Sequence, residues 1–294
     1  MKNKISSKNL LKSLSDKKRE KYNNQLAKLK FEDIINIYDE KSIQNFAGNN
    51  NVNFAIENID SKEFKYYSNL KYLLESASSC QISDAIYEVS NHNGVIPAIK
   101  SVNGISTYGR IKTAKTDSND WGTSLLAIDN TEANEIIFID STEELFDNSV
   151  DGSFSGSFSG SKNSSKNFSA IWGELTSLSA KSRGIGATII YGYCRDITEL
   201  KKLNYPVFSC GCVPNAGKPL KNGKINIPID SIHGYPISVE SGDFIFGDDS
   251  GVVHVPKNIF KEVMAQLLKI KINELKIQDG IKKGRSIRQC LNDL

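Results

Sequence analysis

The fold is constrained most by an alternation of short β-branched runs with helical patterns, which fills the chain from about residue 69 onward. Strand-like runs lie at 109–114, 135–140, 187–191, 206–209, 244–247 and 252–255. Helical patterns lie at 72–89, 121–130, 173–183, 196–202 and 257–281, with Ser83 or Asp84 suited to an N-cap in the first of them. Short strands alternating with helices are typical of an α/β domain around a mixed sheet. Residues 69–294 are therefore predicted to form an α/β domain.

The first 68 residues have a different pattern, in which apolar residues recur at helical spacing without a strand-like run. Residues 1–30 carry ten basic residues against two acidic ones, in a chain whose net charge is +3. Residues 1–68 are thus predicted to be a basic helical extension. A solvated helical face and an arm for RNA or an acidic partner both fit it. The rest of the chain has no basic bias, so nucleic acid is not the expected partner.

A Gly/Ser-rich segment at 151–168 interrupts the α/β pattern. Its composition buries too little apolar surface to offset the entropy of ordering, so it is predicted to be a mobile loop inserted in the domain. A lid and a tolerated insertion both fit this position.

Several classes of protein are excluded by composition. No stretch approaches the roughly 18 apolar residues that a membrane span needs, and no apolar segment of a secretion signal follows the basic start. The five cysteines form no CxxC pair, and the three histidines are far apart. The chain is expected to be a soluble cytoplasmic protein without a zinc site built from these residues.

The most informative stretch is 172–196, which reads as a turn, a helix beginning near Gly173 and Glu174, a glycine-containing loop and a strand ending at Arg195 and Asp196. Ligands of open α/β sheets bind outside the carboxyl ends of strands, and a helix N-terminus favours an anion. An Arg–Asp pair at such an edge can bind a carboxylate and hold a cation beside it, since Mg²⁺ needs only one or two protein carboxylates. A surface ion pair fits the same dipeptide.

Spacing across this stretch, with Gly-Glu-Leu, Ala-Lys-x-Arg-Gly and Gly-x-x-Arg-Asp, resembles the RraA-like family. That family includes 4-hydroxy-4-methyl-2-oxoglutarate aldolases and was once mislabelled as menaquinone methyltransferases. The resemblance covers about residues 70–290 and includes 82–86 (Ile-Ser-Asp-Ala-Ile), 109–113 (Gly-Arg-Ile-Lys-Thr), 247–252 and Glu274. It implies an α/β/α layered swivelling-type domain, assembled as a homotrimer or hexamer with sites at subunit interfaces.

The resemblance also implies roles for single residues. Asp196 would ligate a divalent metal cation, Mg²⁺ first and Mn²⁺ second, and Glu174 would hold waters of that cation. Arg195 would pair with the carboxylate or enolate oxygen of the substrate. Asp84 and Glu274, from a neighbouring subunit, would handle protons. The backbone amides expected to bind substrate are those of Gly173, Glu174, Leu175 and Thr176.

The expected function is that of a divalent-metal-dependent lyase of the class II pyruvate aldolase or oxaloacetate decarboxylase type. Such an enzyme cleaves a carbon–carbon bond of a small 2-oxo acid through a metal-stabilised pyruvate enolate. The alternative is a non-catalytic regulator that binds a ribonuclease or another RNA-processing partner, and the basic extension keeps it open. Each acidic residue also fits a structural role: Asp84 as a helix N-cap, Glu174 as a favoured acid at a helix start, and Glu274 as a solvated helix residue.

Overall fold

The structure is a computed structural model that describes residues 73–142, 169–230 and 232–293. The predicted helical extension, its boundary at residue 68 and the Gly/Ser-rich segment at 151–168 lie outside these residues. The described residues form two compact units, one of 73–92 with 259–293 and the other of 93–258.

In chain order the elements are α1 (Ser79–Ser90), β1 (Val95–Ile96), β2 (Lys100–Ser101), β3 (Thr107–Lys115), α2 (Gly122–Asn130), β4 (Ile136–Asp140), β5 (Ala170–Trp172), α3 (Glu174–Ser182), β6 (Ala187–Cys194), α4 (Ile197–Leu203), β7 (Val207–Cys212), β8 (Lys224–Ile225), β9 (Phe244–Asp248), β10 (Gly251–Val255), a 3-10 turn (Lys257–Ile259), α5 (Phe260–Lys282) and α6 (Ile287–Leu291). The strand-like runs and helical patterns of the sequence are confirmed as elements, with ends that differ by a few residues.

The first unit is helical, with α1 packed on α5. Ser78, not Ser83 or Asp84, is the N-cap of α1: its hydroxyl accepts from the Gln81 amide, and the Gln81 side chain accepts from the Ser78 amide. This capping box satisfies two amides at once, so α1 begins at Ser79, before both predicted N-caps. Asp84 is consequently an exposed residue inside α1, and its prediction as an N-cap is wrong. Within the residues described, no helix combines the length and apolar character that a bilayer crossing requires.

The second unit contains a mixed sheet of order β1-β10-β9-β3-β4-β6-β7-β2, with β5 paired to β6 and β8 to β3. Strands β3, β4, β6 and β7 run parallel, whereas β9 is antiparallel to β3 and β10, and β2 is antiparallel to β7. The predicted mixed α/β fold is confirmed. The short strands β1, β2, β5 and β8 were not predicted.

Both faces of the central strands are buried, because successive residues point to opposite sides of a sheet. In β4, Ile136 and Phe138 belong to one apolar cluster, and Ile137 and Ile139 belong to the other. The second cluster includes buried residues of α2, α3 and α4, so these helices cover that face. Residues of the segment 229–239 pack in the first cluster. This burial on both faces explains why the central strands read as continuous β-branched runs.

A buried polar network joins strand β10 to the segment that precedes β9. The Tyr235 hydroxyl lies 2.8 Å from His254 Nδ1, and His254 Nε2 lies 2.9 Å from Asp243 Oδ2. Asp243 also accepts hydrogen bonds from the amides of Glu240 and Lys257. A proton on His254 Nε2 is donated to Asp243 and leaves Nδ1 to accept from the Tyr235 hydroxyl. Burial, and then the charge of Asp243, raise the pKa of Tyr235 above its ordinary value, so its hydroxyl stays a donor.

We expect Asp243→Asn to lower the free energy of unfolding by about 2–3 kcal/mol, because the amide turns an –NH₂ group toward buried N–H donors. Urea unfolding followed by circular dichroism measures this change. The matched control is Glu240→Gln, which breaks the half-exposed ion pair of Glu240 with Lys257 and should cost less than about 1 kcal/mol. Equal losses in both variants would contradict a structural role for the buried network.

Candidate functional site

Two neighbouring strands bring the motif residues together at one edge of the sheet. Strand β5 runs parallel to β6, and Trp172 is the register partner of Cys194. The Arg195 amide donates to the Trp172 carbonyl at 3.0 Å, which fixes the two strand ends side by side. The turn into α3 at Gly173 and the turn into α4 at Asp196 therefore meet at the carboxyl ends of these strands, where open α/β sheets bind ligands.

Asp196 has a left-handed backbone conformation, φ 59° and ψ 41°, which Asp adopts more readily than most residues. Its Oδ2 accepts a hydrogen bond from the Glu174 amide at 3.1 Å and lies 3.4 Å from Arg195 Nε. Both contacts fall on Oδ2, and Oδ1 makes no hydrogen bond within the described ranges. The side chains of Asp196 and Arg195 are 34% and 40% exposed, so solvent or a small ligand can reach both.

Gly173 provides the space that the Asp196 carboxylate occupies. A Cβ at this position would lie 2.5 Å from Asp196 Oδ2 and 3.1 Å from Arg195 Cγ. The start of α3 is fixed beside it: the Gly173 amide donates to Thr176 Oγ1 at 2.9 Å, and Trp172 Nε1 donates to Ser177 Oγ at 2.7 Å. Gly173 and Asp196 thus form a close-fitting cradle.

A pocket of about 150 Å³ opens at this edge. It is smaller than the roughly 300–1,000 Å³ of sites for drug-sized ligands, so it suits a small molecule. Among the described residues that line it, Arg195 alone is basic, and the apolar wall is formed mainly by two tryptophans and aliphatic side chains. The lining residues are Trp121, Ala170, Ile171, Trp172, Gly173, Leu175, Thr176, Arg195, Asp196 and Ala216.

The donor set at this edge suits a hard cation that keeps most of its ligands from water or substrate. Among the described residues, no three His, Cys, Asp or Glu side chains converge as a metal cage would require. Mg²⁺ is often bound by one or two carboxylates, with water and substrate oxygens completing its shell. The Oδ1 atom of Asp196 is available for such a contact, and Glu174 lies half-buried at the start of α3 beside it. These residues fit a divalent cation of this kind.

The structure brings together six of the eight predicted site residues, namely Gly173, Glu174, Leu175, Thr176, Arg195 and Asp196. Asp84 and Glu274 belong to the helical unit. There the Glu274 carboxylate accepts a hydrogen bond from Gln81 Nε2, which links α5 to α1. Glu274 therefore has a structural partner of its own, and Asp84 is exposed on α1.

Four lining residues were missed by sequence reasoning, namely Trp121, Ala170, Ile171 and Ala216. Ala170 and Ile171 lie on β5, a strand of three residues that is too short to show a period. Ala216 lies in a segment without helical or strand pattern. Trp121 directly precedes α2 and follows Asp120. A large aromatic residue beside an acidic one at a helix start was the one signal in the sequence that could have indicated a pocket wall.

In a comparison with protein families, residues 79–254 match the model described as "RraA-like: Aldolase/RraA". An uncharacterized protein of Methanocaldococcus jannaschii is 34% identical over 200 residues, which cover 68% of this chain and 84% of that protein. A protein of Halalkalibacterium halodurans, provisionally named 4-hydroxy-4-methyl-2-oxoglutarate aldolase, is 39% identical over 100 residues. That match covers 34% of this chain and 46% of the relative, so the chain spans less than half of it.

Among solved structures, an uncharacterized protein of Pseudomonas syringae pv. tomato superposes with a TM-score of 0.58 at 23% sequence identity. The match covers 76% of this chain and 96% of that one. At this level of identity the likeness concerns the fold alone.

Proposed function

Since the chain belongs to the RraA-like family, we propose that it is a divalent-metal-dependent lyase that cleaves a carbon–carbon bond of a small 2-oxo acid. The observation that carries the proposal is the cradle in which Gly173 and the Glu174 amide hold Asp196 beside Arg195, at the mouth of a small pocket. A carboxylate and a guanidinium kept accessible in this way suit a cation and a carboxylate substrate together. The aldolase name of the H. halodurans relative supports the same class of reaction.

Asp196 would bind the cation, Mg²⁺ or alternatively Mn²⁺, and the Glu174 carboxylate would hold its waters. When bound, the cation supplies Lewis-acid stabilisation of the negative oxygen that develops as the carbon–carbon bond breaks. The Glu174 amide at the N-terminus of α3 donates to the Asp196 carboxylate and so holds it in place for the cation.

Arg195 binds and orients the substrate. Its Nε faces Asp196, and the terminal guanidinium nitrogens have no hydrogen bond among the residues described. A guanidinium fork matches the two oxygens of a carboxylate, so the carboxylate of a 2-oxo acid is held in a fixed direction next to the cation site. The tryptophan and aliphatic wall excludes water around the reacting carbon atoms.

The backbone amides at the start of α3 have different hydrogen-bond partners. Gly173 and Glu174 already donate to Thr176 Oγ1 and Asp196, so contacts from α3 to substrate oxygens fall to the amides of Leu175 and Thr176. These belong to the first turn, whose amides lack helical acceptors. Proton transfer is assigned to Asp84 and Glu274 from a second copy of this chain, in a homotrimer or hexamer.

Pyruvate release tests the proposal. We expect the purified chain to release pyruvate from oxaloacetate and from 4-hydroxy-4-methyl-2-oxoglutarate with Mg²⁺, and EDTA to abolish the release until Mg²⁺ is restored. A coupled lactate dehydrogenase assay measures the rate, with metal-only decarboxylation of oxaloacetate subtracted. A folded protein that turns over neither compound would contradict the lyase and favour the regulator.

A further inference from the structure

The pocket wall includes a segment whose backbone is held in place by a side chain about 100 residues away in the sequence. This segment, residues 215–223, is called the strap below, and it carries the lining residue Ala216. The strap has no regular secondary structure, and most of its side chains are exposed. Its position therefore depends on hydrogen bonds from its backbone.

Asp120, between β3 and α2, accepts three of those hydrogen bonds although it is fully buried. The donors to Oδ1 are the amides of Gly122 at 2.8 Å, Leu220 at 2.9 Å and Lys221 at 3.0 Å. The donors to Oδ2 are the Asn222 amide at 2.9 Å, Thr116 Oγ1 at 2.9 Å and Thr123 Oγ1 at 2.7 Å. Three successive strap amides thus converge on one carboxylate, and Thr123 Oγ1 accepts from a fourth, that of Gly223.

The other half of the strap is joined directly to the pocket wall. The Trp121 indole Nε1 donates to the Gly217 carbonyl at 3.1 Å, and the Trp121 amide donates to the Lys218 carbonyl at 3.0 Å. The Ala170 amide donates to the Asn215 carbonyl at 2.9 Å. Two lining residues, Trp121 and Ala170, are therefore hydrogen-bonded to the strap that carries a third.

Close packing against neighbouring backbone restricts the path of the strap. A Cβ on Gly217 would lie 2.2 Å from the Asn119 carbonyl oxygen, and one on Gly223 would lie 2.3 Å from that of Lys115. On the opposite side, a Cβ on Gly122 would lie 2.7 Å from the Lys221 amide. Glycines on both partners let the two backbones approach closely enough for the carboxylate to reach the strap.

We propose that Asp120 is a positioning residue of the pocket, which holds the strap so that Trp121 and Ala216 line the same pocket as Arg195. Burial by itself raises the pKa of Asp120, but the hydrogen bonds from Thr123, Lys221, Thr116 and Asn222 outweigh it and lower the pKa to about 2. The carboxylate is consequently ionised at neutral pH and acts as an acceptor only. The kinetic part of its test rests on the proposed function; the spectroscopic part does not.

Asp120→Asn tests the proposal, because the amide keeps the shape but turns an –NH₂ toward donors. We expect KM for the 2-oxo acid to rise about tenfold with kcat within about threefold, since the wall contacts substrate and transition state alike. Both tryptophans of the chain line the pocket, so acrylamide quenching of their fluorescence reports on the wall alone. It should increase in Asp120→Asn and stay unchanged in the control Asp129→Asn, whose carboxylate is 68% exposed.

Unchanged KM or unchanged quenching in a folded Asp120→Asn protein would overturn the proposal. If that variant fails to fold, Thr123→Val and Thr123→Ser test the proposal instead. Thr123→Val removes the acceptor of the Gly223 amide, so KM and quenching should both increase. Thr123→Ser keeps the hydroxyl, so neither KM nor quenching should change. Should wild type release no pyruvate, the proposed function fails, and the quenching comparison still decides the positioning role.

Discussion

Asp196→Asn is expected to lower kcat/KM for metal-dependent pyruvate release by at least about 10³-fold, because several kcal/mol of transition-state stabilisation depend on the cation that this carboxylate would bind. The asparagine keeps the size of the side chain and can still accept from the Glu174 amide, so the turn into α4 should be preserved. Steady-state kinetics with Mg²⁺ measures the loss, and titration with Mn²⁺ followed by electron paramagnetic resonance measures the binding of the cation.

The matched control is Asp129→Asn, at an exposed carboxylate near Arg183 in the same unit. It removes the same charge from the surface and should leave kinetics and Mn²⁺ binding unchanged. Wild-type turnover in a folded Asp196→Asn protein would remove Asp196 from the metal site. Loss of turnover with intact Mn²⁺ binding would assign the cation to other residues.

Gly173→Ala is expected to lower kcat/KM about 10²-fold without unfolding the protein. Gly173 has an extended backbone, φ −163°, which alanine adopts without strain, so the effect comes from space alone. The added methyl would lie 2.5 Å from Asp196 Oδ2 and must displace the carboxylate or Arg195. A shift of about 1 Å in a positioned group costs about 10²-fold in rate.

Gly186→Ala is the control for this variant, since its Cβ would meet the nearest atoms, carbonyl oxygens of Asn134 and Glu135, at 3.4 Å. We expect thermal unfolding of Gly173→Ala to stay close to that of Gly186→Ala, and its affinity for Mn²⁺ to fall. Full activity in Gly173→Ala would show that the contact between Gly173 and Asp196 does not matter for turnover.

Sequence patterns predicted the strands whose side chains are buried on both faces of the sheet. They missed the short strands that are recognised only by their hydrogen bonds to a neighbouring strand. Strand β4 buries every residue, so its β-branched run is evident without neighbours. Strands β5 and β8 contain three and two residues and exist because β6 and β3 lie beside them. No periodicity fits into so few positions.

The same distinction applies to the site. Glu174 and Arg195–Asp196 were predicted together because the stretch 172–196 contains both a helix start and a strand end, and ligands of open α/β sheets bind outside the carboxyl ends of strands. The role of the strap was not predicted, because Asp120 binds backbone amides about 100 residues away in the sequence. Every residue except proline has such an amide, so no residue type indicates the contact. Asp84 was misjudged as an N-cap because the Ser78–Gln81 capping box lies one turn before it.

The strap is held in place through its backbone amides, so its side chains are not needed to fix its position. Lys218, Pro219, Leu220 and Lys221 are all exposed, and none of these side chains supplies a hydrogen bond that fixes the backbone to Asp120. Substitutions there can alter charge and bulk on the exposed side of the strap while its hydrogen bonds to Asp120 are preserved. Surface loops of this kind are where sequences diverge most readily. Residues 218–221 can therefore diverge without loss of the pocket wall, because Ala216 and Trp121 keep the backbone contacts that hold them.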